Sequence, residues 1–191
     1  GAYYSMHFWF YSLLAAPALF VLELVRGPPL AALTFVNALA AFAAAAALVR
    51  HFRGTRLELF APACFLLAAS TFYLRFTGPE VLTASGVLVA SLAMLRGEIG
   101  VGWLAAGVAA TQNPSALGLY PFILFQAVRL RRNGLDVGWS KAAVSLLDRR
   151  TLVLVGIGSS IALLPYCFFQ FTFGVPSLLG PADDRRGGQS P

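Results

Sequence analysis

The chain is a succession of apolar blocks separated by short polar clusters. The clearest block is "PLAALTFVNALAAFAAAAALV", Pro29 to Val49, in which Asn37 is the only strongly polar side chain. It is long enough for a membrane span of roughly 20 residues, and its small residues permit close helix packing. An earlier block, about Phe8 to Val25, is interrupted by Pro17 and Glu23 and is marginal for a span. Its aromatics (Tyr3, Tyr4, Phe8, Trp9, Phe10, Tyr11) crowd one end, as in an interfacial belt. It either crosses a bilayer or lies along its surface. Further blocks run from about Leu57 to Leu74, from Val81 to Leu95, and from Thr151 to about Gly174, the last with Pro165 as an expected kink.

The block Val101 to Val128 behaves differently. At 1.5 Å per residue, roughly 28 residues would make a helix of about 42 Å, too long for one upright span. "TQNP", Thr111 to Pro114, breaks it. Pro114 disfavours helix at Asn113 and suits the first turn of a new one, with Asn113 as N-cap. Arg96 precedes the block, and Arg129, Arg131 and Arg132 follow it. If both flanks lie on one side of a bilayer, the halves form a hairpin that dips in and returns. Irregular backbone at that depth must be covered by protein or reached by water.

Composition turns this pattern into a class. The 191 residues are 58% hydrophobic and 12% charged, with a mean hydropathy of +0.73, whereas soluble domains carry about 25% charged residues. The expected fold is all-α: a polytopic transmembrane helix bundle with an outer-face interfacial helix and a short-helix hairpin. Residues 1–174 form one module, and 175–191 form a polar tail expected to be disordered. The net charge of +6 does not point to nucleic acid, because the basic residues fall in short clusters between apolar blocks. "RHFRGTR", Arg50 to Arg56, is assigned to the cytoplasm, so Pro29 to Val49 runs from outside to inside. Arg far outnumbers Lys, Lys141 being the only one, which suits a GC-rich bacterial genome; the expected location is a bacterial inner (cytoplasmic) membrane. Cys64 and Cys167 lie inside apolar blocks and are expected to be buried thiols that pack, with no disulfide and no metal site. "SKAAVSLLDRR" is expected to form a short interfacial helix capped by Ser140 and anchored by Trp139.

Few side chains suggest chemistry. There is no Walker loop, dinucleotide fingerprint, metal spacing or serine elbow. "GIGSS" at Gly156 is assigned to helix packing. In "LRFTGPEVLTAS", Leu74 to Ser85, Thr77 and Glu80 fit a capping box, and Glu80 suits the positive end of a helix dipole. The functional alternative places Arg75 and Glu80 at the mouth of an outer-face cavity. His7 is either part of the aromatic belt or available for proton transfer. Gln112 and Asn113 are either a plain cap or an anion-attracting helix start. Asn37 is more simply a helix–helix hydrogen bond.

The order of parts resembles a known family. An aromatic segment "YYSMHFWFYSLLAAP" precedes an Ala-rich span ending "LVRHFRG". A span reaching "FTGPE" follows, then the pair "LAAGVAATQNPSALGLYPF". This is similar to the N-terminal module of the C-type superfamily of integral-membrane glycosyltransferases, the mannosyltransferase-like enzymes that use polyprenyl-phosphate sugars. The resemblance covers most of Gly1 to Gly174. It implies a carboxylate in the first outer loop as general base on the acceptor hydroxyl. No Asp or Glu precedes Glu23, so that residue is expected to lie outside this chain, and the catalytic group is not identified. The chain is then a fragment, inactive alone. The resemblance also implies that Arg75, Glu80, Gln112 and Asn113 border the donor cavity, with Arg75 suited to a phosphate headgroup. It implies no certain cofactor; a divalent metal in a longer enzyme would find no identifiable ligands here. The expected partners are the bilayer and a polyprenyl-phosphate-linked sugar. A transporter or flippase-like module is the alternative, since broken helices occur there too; no internal repeat supports it.

Overall fold

The computed structural model describes residues 9–68 and 78–173. Every regular element among them is helical: α1 (Trp9–Leu24), α2 (Ala31–Phe52), α3 (Leu57–Leu67), α4 (Glu80–Leu95), α5 (Ile99–Ala110), a 3-10 turn (Pro114–Gly118), α6 (Leu119–Leu135), α7 (Trp139–Val144) and α8 (Arg149–Phe173). Two of them, α2 and α8, are long and apolar enough to cross a membrane.

Glycines report how the helices run, because each marks a close approach. Gly97 adjoins Leu130, Gly102 adjoins Ile123 and Gly107 adjoins the Tyr120 hydroxyl. One number rises as the other falls, so α5 and α6 form an antiparallel hairpin folded at Asn113. Gly86 against Ala109 and Gly102 against Ala93 make α4 and α5 antiparallel. Gly100 against Leu154 and Gly158 against Leu104 make α5 and α8 parallel. Asn37 meets Gly78 and Arg50 meets Glu98, so α2 runs parallel to α4. The expected hairpin is therefore present, and Arg96 and Arg129 to Arg132 flank it at the same end.

That end collects the positive charge. Arg50, Arg53, Arg56, Arg96, the Arg129–Arg132 cluster, Lys141, Arg149 and Arg150 all belong to helix ends or turns there. Arg26, with Glu23 and Glu80, lies at the opposite end. Gly97 (φ +71°) makes the sharp turn between α4 and α5, accepting a backbone conformation that an L side chain resists. It returns its amide to Met94 while Glu98 bonds the Ala93 carbonyl.

The path of α1 relative to α2 and α4 is read from its contacts. The Tyr11 hydroxyl donates to the Leu33 carbonyl at 2.8 Å. Had α1 folded back alongside α2 from the turn near Gly27, Tyr11 would stand some ten residues further along α2, about 15 Å away. It instead meets the first turn of α2, and Tyr11, Ala15, Ala32, Val36 and Leu82 form one buried cluster. α1 thus lies across the ends of α2 and α4.

The interior is built of small side chains and the exterior of large ones. Ala44, Ala90, Ala106, Ala109 and Ala142 are fully buried, while Phe20, Phe35, Phe42, Phe60, Phe122 and Phe125 are exposed. Alanine and glycine let backbones approach closely. So many outward-facing phenylalanines suit an apolar surround. The same inversion corrects the expectation for Cys64 and Cys167: both are free, as expected, but exposed on the outer faces of α3 and α8.

Candidate functional site

Three of the five candidate residues share one end of the bundle. Glu80 opens α4, and the antiparallel pairing of α4 with α5 sets it level with Gln112 and Asn113 at the far end of α5. His7 and Arg75 lie outside the described residues, as does Thr77.

Asn113 caps the restart of the chain as expected. Its Oδ1 accepts from the Ser115 amide at 3.2 Å and from the Ser115 hydroxyl at 2.7 Å, with Pro114 in the first turn. The element it opens is a 3-10 turn that passes into α6, so the break is a corner of several residues rather than a single kink. Before it, the Thr111 hydroxyl donates to the Val108 carbonyl at 2.6 Å, and Gln112 donates its amide to Thr111 at 3.0 Å. The Gln112 carbonyl oxygen is buried with no hydrogen-bond partner among the described residues.

Glu80 departs from its expected register. The residue flanking α4 is Pro79, which offers no side-chain cap bond, and Glu80 is the first residue of the helix rather than the third. Its carboxylate curls over Gly78, where a Cβ would collide with it. It still sits in the first turn, where the helix dipole favours a negative charge, and its field reaches the Tyr11 phenol. Fully buried Asn37 donates to the Gly78 carbonyl at 3.0 Å and ties α2 to the approach of α4. The expectation for Asn37 is a helix–helix bond; this one runs instead to the backbone leading into α4.

The basic end carries a second cluster that sequence reasoning did not single out. Glu98 accepts from Arg50 at 2.9 Å and lies 3.1 Å from Arg96, in the turn between α4 and α5. Arg50 and Glu98 of this network border a cavity of about 450 Å³ whose wall also includes Ile99, Arg131, Asp148 and Arg150. Asp148 caps α8, accepting from the Thr151 amide at 3.0 Å and the Thr151 hydroxyl at 2.6 Å. Those hydrogen bonds hold its carboxyl below the usual aspartate range, with the positive field of Arg131 a smaller contributor. The available signal was "LRGE", a carboxylate among arginines that reads in sequence as loop only. Nearby, α7 begins after Gly138 with no side-chain cap, so Ser140 does not cap it. Trp139 is held by stacking on Phe125 and by Arg132, whose guanidinium lies 4.8 Å from its ring.

Between the ends, Trp103 knits three helices. It stacks on Tyr120 at 4.0 Å and donates to the Ser159 hydroxyl at 2.9 Å, while Tyr120 donates to the Gly158 carbonyl at 3.3 Å. "GIGSS" is thus packing at Gly158 and Ser159, whereas Gly156 faces open space. Among the described residues, no three His, Cys, Asp or Glu side chains converge as a cation site. Comparison with protein-family models, curated proteins and solved structures finds no match.

Proposed function

We propose that this chain is a module of a multi-pass membrane glycosyltransferase that takes a sugar from a polyprenyl-phosphate donor on the outer face of a bacterial inner membrane. The observation that carries the reading is α1 lying across the ends of α2 and α4, beside the broken hairpin, at the end poor in positive charge. By the positive-inside rule the arginine-rich end faces the cytoplasm, which puts α1, Glu80, Gln112 and Asn113 at the outer face. There α1 is an interfacial helix, and α5 with α6 forms a re-entrant pair whose corner meets the same surface. The small-inside, large-outside packing supports a lipid surround.

Glu80 and Asn113 serve here as positioning residues for the donor headgroup, with the general base supplied from outside the described residues. In membranes holding the full-length protein, Glu80→Gln and Asn113→Ala are expected to lower sugar transfer from the polyprenyl-phosphate donor by about tenfold or more, while Asn113→Ala costs only the roughly 1 kcal/mol of a lost cap and Glu80→Gln leaves thermal stability close to wild type. Turnover unchanged in both variants would overturn the reading. The broken hairpin also suits a transporter; that alternative predicts donor movement across sealed vesicles without any acceptor being glycosylated.

A further inference from the structure

We infer that the cavity at the basic end holds the phosphate headgroup of an anionic glycerophospholipid, with an acyl chain in the neighbouring groove. The cavity of about 450 Å³ is walled by Arg50, Arg131 and Arg150 on its polar side and by Ile99, Val101 and Leu154 on its apolar side. Its two carboxylates are already engaged. Glu98 is shared by Arg50 and Arg96, and Asp148 accepts both hydrogen bonds from Thr151. Arg131 and Arg150 form no ion pair among the described residues, although Arg131 is near enough to Asp148 to act on its carboxyl; with Arg50, Arg131 and Arg150 set against Glu98 and Asp148, the wall keeps a net positive charge. A guanidinium fork matches phosphate oxygens better than any other common side chain does.

A second hollow of about 260 Å³ shares Arg50, Glu98 and Val101 with the first. Its remaining wall is mostly small and apolar, with Ala46 and Ala47 from α2 and Val89, Leu92 and Ala93 from α4. The Arg50–Glu98 pair is the partition between them. One space is cationic and headgroup-sized; the other is lined mostly by apolar side chains of α2 and α4, with Arg50, Arg96 and Glu98 at its polar rim. A free phosphate would need only the first, whereas a phospholipid uses both. Basic pockets between helices at a cytoplasmic surface are suited to anionic headgroups, each arginine contributing about 1 kcal/mol near the surface.

The test is native mass spectrometry of the purified chain in neutral detergent, titrated with phosphatidylglycerol, with phosphatidylcholine of the same acyl composition, and with inorganic phosphate. Phosphatidylglycerol is expected to be retained in preference to phosphatidylcholine. Arg131→Gln and Arg150→Gln should each weaken that retention about fivefold, and Arg131→Lys should restore part of it. Arg26→Gln, at the opposite end, should leave it unchanged. Ala47→Phe, which fills the groove without altering charge, should also weaken it. Circular dichroism of each variant separates loss of the site from loss of the fold. Equal retention of both lipids, an equal effect of Arg26→Gln, or retention untouched by the Arg131 and Arg150 variants would overturn the proposal. Binding of inorganic phosphate without retention of phosphatidylglycerol would overturn it too, since the site would then serve a soluble anion.

Discussion

The Tyr11 hydroxyl donates to the Leu33 carbonyl across 2.8 Å, joining the first turn of α1 to the first turn of α2. This one bond fixes α1 as a crossbar over the bundle end. Tyr11→Phe keeps the ring and removes the donor. It should cost about 1 kcal/mol and speed amide exchange in α1 while leaving α5 and α8 protected. Uniform loss of protection across all helices would show that the bond has no local role.

Gly107 and Gly158 set the spacing of α5 and α8. A Cβ at Gly107 would strike the Gly158 carbonyl, and one at Gly158 would press on the backbone of Trp103 and Leu104 at 3.0 Å. Gly107→Ala should destabilise the fold by about 1–3 kcal/mol through overpacking. Gly156→Ala meets nothing within 4 Å, so it should be neutral or slightly stabilising, as alanine is in a helix. Thermal unfolding of the two variants in one detergent compares them directly.

Ser159→Ala leaves the Trp103 indole N–H without its acceptor. An expected cost of about 1–2 kcal/mol follows from an unsatisfied donor in packed surroundings. Tryptophan emission should shift as the stack on Tyr120 loosens. No spectral change together with unchanged stability would mean that the bond contributes nothing.

Asp148 makes the start of α8 sensitive to acid. Its folded carboxyl titrates below the ordinary aspartate value because Thr151 hydrogen-bonds the charged form. The stabilisation is therefore fully present above the unfolded value and is lost as pH falls through the lower, folded one. The stability gap between wild type and Asp148→Ala should be widest near about pH 7 and narrow as pH falls below the ordinary aspartate value. A gap that stays constant across that range would show that capping does not depend on the charge.

Much of this architecture is legible in the sequence, for identifiable reasons. α2 and α8 announce themselves by length and apolarity. The corner at Asn113 follows from proline's restriction of the residue before it, and the shared end of the hairpin follows from arginines at both of its flanks. The path of α1 was not legible. Its apolar residues surround the helix almost evenly, so no stripe points to a partner, and the deciding bond joins a side chain to a backbone oxygen 22 positions away. The register of Glu80 misled because Thr77-Gly-Pro-Glu80 satisfies the capping-box spacing even though α4 starts after Pro79. Cys64 and Cys167 misled because an apolar neighbourhood in sequence does not say which face of a helix a side chain takes, and both take outer faces. The cavity at the basic end was hidden because Arg50, Arg131 and Arg150 are remote in the chain and each reads alone as loop.

The contacts of Trp103 and Tyr120 with α8 also set a timetable for biogenesis. α5 has 12 residues, about 18 Å of helix, and cannot reach across a bilayer alone. The surface that covers it, Leu154 to Ala162 of α8, emerges from the ribosome after α4, α5 and α6. The hairpin must therefore wait, half-sheltered by α4, until α8 arrives and closes over it. A ribosome stalled before Ser159 would hold a nascent chain whose Trp103 has no acceptor there.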